Sequence, residues 1–544
     1  MTAAVDYLGY RKLRAPHENG TGLFEPTWEQ VGELVNRNTE NQSKSCYDVQ
    51  GKCLNRLAYQ ARKEMLAAAR QWTGSYRDLG DWATASLDRV FLAGHQPQMF
   101  HPGVWLKNFA LSRLAEQHDA VAVNLVVDSD TIRSHTLRVP GGTVKSPNTA
   151  EIPYDASGPP VPFEERQILD RPLFASFADR VQTQIRSLVP SPLIGQYWRL
   201  VRNRARDCNR LGMCLAQARH VLEGEWGGQT LELPQSAVCD CDAFRWFLCH
   251  LLNESARFRV VHNDVVREYR RVHRIRSSAH PVADLAEQDG WHEVPIWIWT
   301  LHAPRRQRLF VRRVGNELQL SNRRDLQVSL PLSHDGDASR AVECLQNLHR
   351  DGIRLRSRAL ITTMWARLAL GNLFLHGIGG AKYDQVTDAL IAGFFRLKPP
   401  GFLTVSGTLH LQAAHCNGAA SRIRVLRDRL RQIEFQPERF VGELELVGAE
   451  QMAEIRQIQM QKWDWIEKND TLENYRERFL SIRRLNQKLQ TWVKPIRDDT
   501  IRALEKAEQA SHAASILTWR EYAFCLFPGE DLQVFFARLL PKRV

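Results

Sequence analysis

A strand, glycine-bearing turn, helix and second strand follow one another twice in this chain, and the two copies lie far apart in the sequence. The first runs from the apolar segment Val90 to Ala93, through a turn with Gly94 and Pro97 and an amphipathic stretch Val104 to His118, to the apolar run Val121 to Val127. The second runs from Leu373 to His376, through Gly377 to Gly380 and a helix ending at Phe395, to a strand at Phe402 to Leu409. Each copy is half of a mononucleotide-binding unit in outline. The predicted class is therefore α/β, with a Rossmann-like parallel-sheet core that is discontinuous in sequence.

The rest of the chain is arranged around these copies. Residues 1–88 read as a mainly helical segment packed on the core, with helical periods at Trp28 to Val35 and Ala58 to Trp72. Residues 89–415 form the core, with an insertion at about 140–255 marked by Pro/Gly breaks. Strand signals return at Val294 to Leu301, where Pro295 suits a strand start or an edge better than a central strand. Residues 416–515 read as a helical coiled-coil arm, and 516–544 as a tail returning to the core. In the arm, Leu472, Tyr475, Phe479, Ile482, Leu489 and Val493 fall at alternating three-four spacing, with Asn486 at the remaining seam position. Two structures satisfy that pattern: a short coiled coil that makes a homodimer, or an amphipathic helix lying on its own domain.

With 544 residues and 43% apolar composition the chain can bury several cores. Neither a leader-like amino terminus nor an apolar run of membrane-spanning length is present, and ten cysteines are too sparse for a disulfide scaffold, so a cytoplasmic protein without membrane contact is expected. The net charge of +12 favours anionic partners. The basic residues come in short dispersed clusters with no nucleic-acid motif, which argues for small anions over nucleic acid.

Three constellations carry candidate chemistry. The turn from Gly94 to Gly103 places His95, Gln96 and His101 between a buried strand and a helix start, where free N–H groups and the helix dipole favour an anion and imidazoles donate hydrogen bonds to phosphate. Asp128 and Asp130 close the next strand; spaced by one residue, they share a direction if the strand continues, and they suit a substrate ammonium, a ribose hydroxyl or a divalent ion. With no third ligand nearby, no metal is assigned. The segment from His376 through Gly377, Gly379, Gly380, Lys382 and Tyr383 to Asp384 joins glycines that permit positive φ and close approach of an anion to a lysine at a helix start. Each also has a plain structural reading, as turn-capping histidines, a solvated strand-end turn and a tight glycine turn. Cys239, Cys241, Cys249 and His250 lack the paired spacing of a zinc site and read as buried thiols. Trp297 and Trp299 read as strand packing.

Taken in order, these segments resemble the cysteine-adding enzymes of bacillithiol synthesis (BshC). Gly94-His95-Gln96 stands where that family has Gly-Gln-Gln leading into a helix, Val127 to Asp130 resembles its acidic strand end, and Val294 to Trp299 its Pro-aromatic strand. Gly377 to Tyr383 resembles its glycine-rich turn, Pro399 to Leu409 its strand ending Ser-x-Thr-Leu with Ser406 and Thr408, and Leu526 to Gln533 its Phe-Pro-Gly ending. The resemblance implies a dimer and the joining of cysteine, or another amino acid, to an amino-sugar malate conjugate. His95, His101, Asp128 and Asp130 of the first two constellations are the candidate catalytic residues, the two histidines being departures from that family's turn. Gly94, Gln96, Asn108, Gly377, Gly379, Gly380, Lys382, Tyr383, Asp384, Ser406 and Thr408 would hold substrate and nucleotide, ATP or ADP. Two competing classes are a non-catalytic nucleotide-binding or assembly module and an RNA-associated nucleotidyltransferase.

Overall fold

Two sheets organise the larger of the two units into which the chain divides. The computed structural model describes residues 6–9, 13–84, 88–334, 336–411, 419–444, 448–468 and 474–542. Unit 1 comprises Met1–Val139, Ala150–Leu411 and Arg520–Val544; unit 2 comprises Pro140–Thr149 and Gln412–Trp519. The chain is mixed α/β, and none of the described helices is long and apolar enough to cross a membrane.

The two main sheets of unit 1 are built from β1 (Thr21–Glu25), β2 (Val90–His95), β3 (Val121–Val126), β4 (Leu231–Pro234), β5 (Trp291–Thr300), β6 (Ala303–Val314), β7 (Glu317–Ser321), β8 (Gln327–Leu330), β9 (Ile353–Ser357), β10 (Leu373–His376) and β11 (Leu403–Thr408). The first sheet runs β1-β11-β10-β2-β3-β4. All its neighbours pair in parallel except β1, which lies antiparallel on β11. Counted along the chain, its five parallel strands lie in the order 3-2-1-4-5, so the order reverses between β2 and β10. β2 and β3 read as continuous apolar runs because helices cover both faces of the sheet.

Five helices matter for the site: α1 (Leu54–Gly74), α2 (Pro102–Gln117), α3 (Leu211–Glu225), α4 (Ser255–Val272) and α5 (Ile378–Leu390). α2 follows β2 and α5 follows β10, so both begin at the carboxyl ends of the two strands that flank the reversal. Gly103 lets α2 approach β11 closely, since a Cβ there would stand 2.0 Å from the carbonyl oxygen of Gly407.

The second sheet, β8-β7-β6-β5-β9, is antiparallel. β5 is internal, paired with β6 on one side and β9 on the other, so the edge placement expected from Pro295 does not hold. The proline is tolerated because the β5–β6 register shifts between Val294 and Trp297, at a bulge that asks for no N–H from it. The helical reading of residues 1–88 omits β1, and the insertion at 140–255 contains β4, a member of the main sheet. β4 escapes the apolar pattern because it is four residues long and carries Glu232, fully buried against Arg219 of α3.

Unit 2 holds helices α6 (Ala419–Phe435), α7 (Ala449–Glu467), α8 (Tyr475–Trp492) and α9 (Lys494–Leu517). Its core gathers Ile433, Phe440, Val441, Ile455, Ile458, Leu485, Leu489 and Val493. Of the expected seam, Leu489 and Val493 enter this core. Asn486 is buried beside them and donates to the carbonyl of Phe435 at 3.2 Å. Tyr475 and Phe479 are exposed, at 66% and 56%. Leu472 lies outside the described residues.

Candidate functional site

At the strand reversal the carboxyl ends of β2, β3 and β10 open into a cavity of about 1180 Å³ within unit 1. Gly94, His95, Gln96 and His101 line it from the first turn, Asp130 from the second, and Gly377, Gly379, Gly380, Lys382, Tyr383 and Asp384 from the third; Ser406 of β11 joins them. The opposite wall comes from the antiparallel sheet and its neighbours, with Trp297, Arg306, Arg308 and Arg358.

Three candidates stand elsewhere. Asn108 is buried outside the cavity and donates to Glu223 at 2.8 Å, because one residue's rotation along α2 turns it away from the face that carries Gly103 and Lys107. Asp128 is buried and accepts from the amide and hydroxyl of Ser236. It does not share a direction with Asp130, since β3 ends at Val126 and a turn intervenes. Thr408 donates to the carbonyl of Pro16 at 2.6 Å and anchors the amino-terminal segment, whose residues 13–17 line the cavity.

The two histidines of the first turn are neutral groups. His95 sits edge-on to Phe100, 4.8 Å between ring centres, and desolvation with nearby Lys107 pushes its pKa down to about 3. His101 caps α2 by accepting from the Gly103 amide at 3.1 Å, and desolvation, reinforced by Arg520, brings it to about 3 as well. Near neutral pH these two histidines therefore offer a phosphate hydrogen bonds but no charge. His101 Nε2, the ring nitrogen left to donate, lies 3.5 Å from Glu521.

The third turn differs from its expected geometry. None of Gly377, Gly379 and Gly380 has positive φ; Gly377 is the extended cap of α5. A Cβ at Gly377 or Gly379 would meet nothing within 4 Å. Neither backbone strain nor packing therefore calls for glycine at these two positions, and the space they leave lies beside the cavity at a helix N-terminus, where anions are stabilised. His376 closes β10 and lies 2.8 Å from Asp384, which also receives Arg367 at 2.5 Å. The Arg367 guanidinium, helped by the hydrogen bond from His376, holds the Asp384 carboxyl well below the usual carboxylate range, against its burial.

The wall is lined by eight lysines and arginines against four acids. Each acid is already paired: Asp130 with Arg306 at 3.0 Å, Glu293 with Arg308 and Arg358, Asp384 with Arg367, and Glu521 with Arg520 and His101. Arg14, Lys107, Arg133 and Lys382 line the cavity with no carboxylate partner among the described residues. The free charge of the site is positive.

Lys107, Trp297, Arg306 and Arg358 were not legible as site residues. Arg306 and Arg358 lie over the Trp297 ring, at 4.8 and 4.0 Å from its centre, and hold it at the wall. Trp297 is half-buried and Trp299 is core although residues two apart on a strand share a face, and no local pattern says that another sheet's rim faces Trp297. For Lys107 a signal existed: α2 is buried nearly all round, and this lysine falls among its buried positions. No protein-family model matches the sequence, and no curated protein matches it.

Proposed function

We propose that unit 1 is an ATP-dependent enzyme that joins an amino-acid carboxyl group to a small amine, on a Rossmann-like core with its ligands at the strand reversal. The observation that carries this reading is a cavity that gathers all three turns and whose unpaired charges are cations. In open α/β sheets ligands collect outside the carboxyl ends of strands where the order reverses. The start of α5, with the open space at Gly377 and Gly379 and with Lys382 beside it, suits a phosphate chain. Arg306 and Asp130, paired with each other at 3.0 Å, suit the carboxylate and the ammonium of an amino acid that exchanges for that pair. Amide formation from a free carboxylate requires activation, which nucleotide phosphate supplies. Cysteine as the acid and an amino-sugar malate as the amine rest on the resemblance to BshC.

The test is condensation of cysteine with glucosamine malate in the presence of ATP and magnesium, followed by mass spectrometry, alongside thiol profiling of a deletion strain. The expected results are a cysteinyl amide and a missing low-molecular-weight thiol. An unchanged thiol pool and no amide would remove the ligase reading.

Tyr475 and Phe479 of unit 2 are read as a self-association surface, since exposed aromatic residues on one helical stripe call for a partner.

A further inference from the structure

Among the cavity's unpaired cations, Lys107 stands apart. Arg14, Arg133 and Lys382 are exposed, whereas Lys107 is 2% exposed. Its amine donates to the carbonyl of Gly94 at 2.5 Å, at the end of β2. The groups that face it are His95 of β2, His376 of β10 and Arg219 of α3. Burial pushes the pKa of both imidazoles down, Asp384 behind His376 is already engaged by Arg367, and Arg219 is itself held by Glu223 and Glu232. Among the described residues, one carbonyl oxygen is the only partner that favours an ammonium at this position, while burial and the Arg219 charge oppose it and bring the amine to about 7.

We propose that Lys107 is the general base of the amide-forming step, taking the proton that the attacking substrate amine gives up. This rests on the ligase reading above. The substrate nitrogen attacks an acyl carbon activated as a phosphoric anhydride, so a C–N bond forms and the C–O bond to phosphate breaks. The C–O electron pair leaves with the phosphate, and the proton of the new C–N centre passes to Lys107 Nζ. The ammonium so formed then faces the released anion, which compensates the charge at the moment it appears. Aliphatic amines of this kind serve as bases only where their surroundings bring them near neutrality.

Reductive methylation of the whole protein with ¹³C-formaldehyde, followed by NMR titration, reads the amine directly. One dimethyllysine resonance should titrate near pH 7, absent in Lys107→Arg and in Lys107→Met. Both variants should bind ATP as the wild type does, yet form amide about 100-fold more slowly or worse, as expected for loss of a general base. The wild-type rate should fall below a midpoint near pH 7. Resonances that all titrate as ordinary lysines, failure of Lys107 to react with formaldehyde, or full activity in Lys107→Met would each overturn the proposal. A wild type that binds ATP and makes no amide would overturn the ligase reading and the base role together, with the titration near pH 7 still standing as a property of the amine.

Discussion

His376 Nε2 lies 2.8 Å from the Asp384 carboxylate, which ties the end of β10 to the second turn of α5. Arg367, fully buried, completes the link by pairing with both Asp384 and Asp388. This junction fixes the glycine turn between strand and helix. Asp384→Asn removes one partner from a buried pair and leaves Arg367 short of charge, so it should destabilise unit 1 by about 3–5 kcal/mol. Urea unfolding would measure the loss, and a change under about 1 kcal/mol would show that the ion pair does not hold the turn.

The two acids of the second turn should separate in their effects. Asp128→Ala leaves the buried Ser236 amide and hydroxyl without their acceptor and should cost about 1–3 kcal/mol of stability. Asp130→Ala breaks a partly exposed pair with Arg306 and should change stability by about 1 kcal/mol or less, while weakening the binding of an amine-bearing substrate. Parallel melting and substrate titration of the two variants would check this. Equal destabilisation by both would return Asp130 to the role of a structural turn residue.

His95 and His101 give a pH dependence of defined sign. Their folded pKa values, both about 3, lie below the unfolded value near 6.5, so the unfolded chain binds more protons between those limits. Their contribution to stability is present above about pH 6.5 and is lost as pH falls toward 3, at up to about 1.4 kcal/mol per pH unit for each histidine. Melting temperature should therefore drop between pH 7 and pH 5, and less so in the double variant His95→Gln, His101→Asn, where Asn still caps α2. Identical slopes in the two proteins would mean that the imidazoles are solvated.

The strands of both β-α-β copies could be read from sequence to within a residue or two because parallel strands covered on both faces are apolar throughout, and helices beside them keep a 3.6 period. β1 and β4 could not. One is a short edge strand, and the other carries a buried glutamate whose partner Arg219 lies thirteen residues earlier. The turns after β2, β3 and β10 point into one cavity because parallel strands end at one rim, a property of topology that any single turn hides. Residue-level direction was less legible. Asp128 and Asn108 differ from their cavity-lining neighbours only by a turn of chain or a step along a helix. The cationic wall from Trp297, Arg306 and Arg358 belongs to a sheet whose approach no local pattern encodes.

In unit 2, Phe479 is exposed while Leu485 and Leu489 fill the core, so Phe479→Asp should leave the fold of this unit intact. Sedimentation equilibrium should give a dimer for the wild type and a monomer for the variant. A monomeric wild type would leave the exposed aromatics without a partner and remove the self-association reading.

The central claim is that an anionic nucleotide sits at the start of α5 in the cavity at the strand reversal. Calorimetric titration of ATP and ADP into the wild type, Lys382→Ala and His101→Ala, with circular dichroism as the folding control, tests it most directly. Saturable binding to the wild type is predicted, weakened by about 1.5–3 kcal/mol in Lys382→Ala through loss of a charge-assisted contact and by less in His101→Ala, whose imidazole is neutral. Both variants should retain reduced binding through the backbone N–H groups of the helix start. No binding by the wild type, or equal affinities in all three folded proteins, would contradict the account.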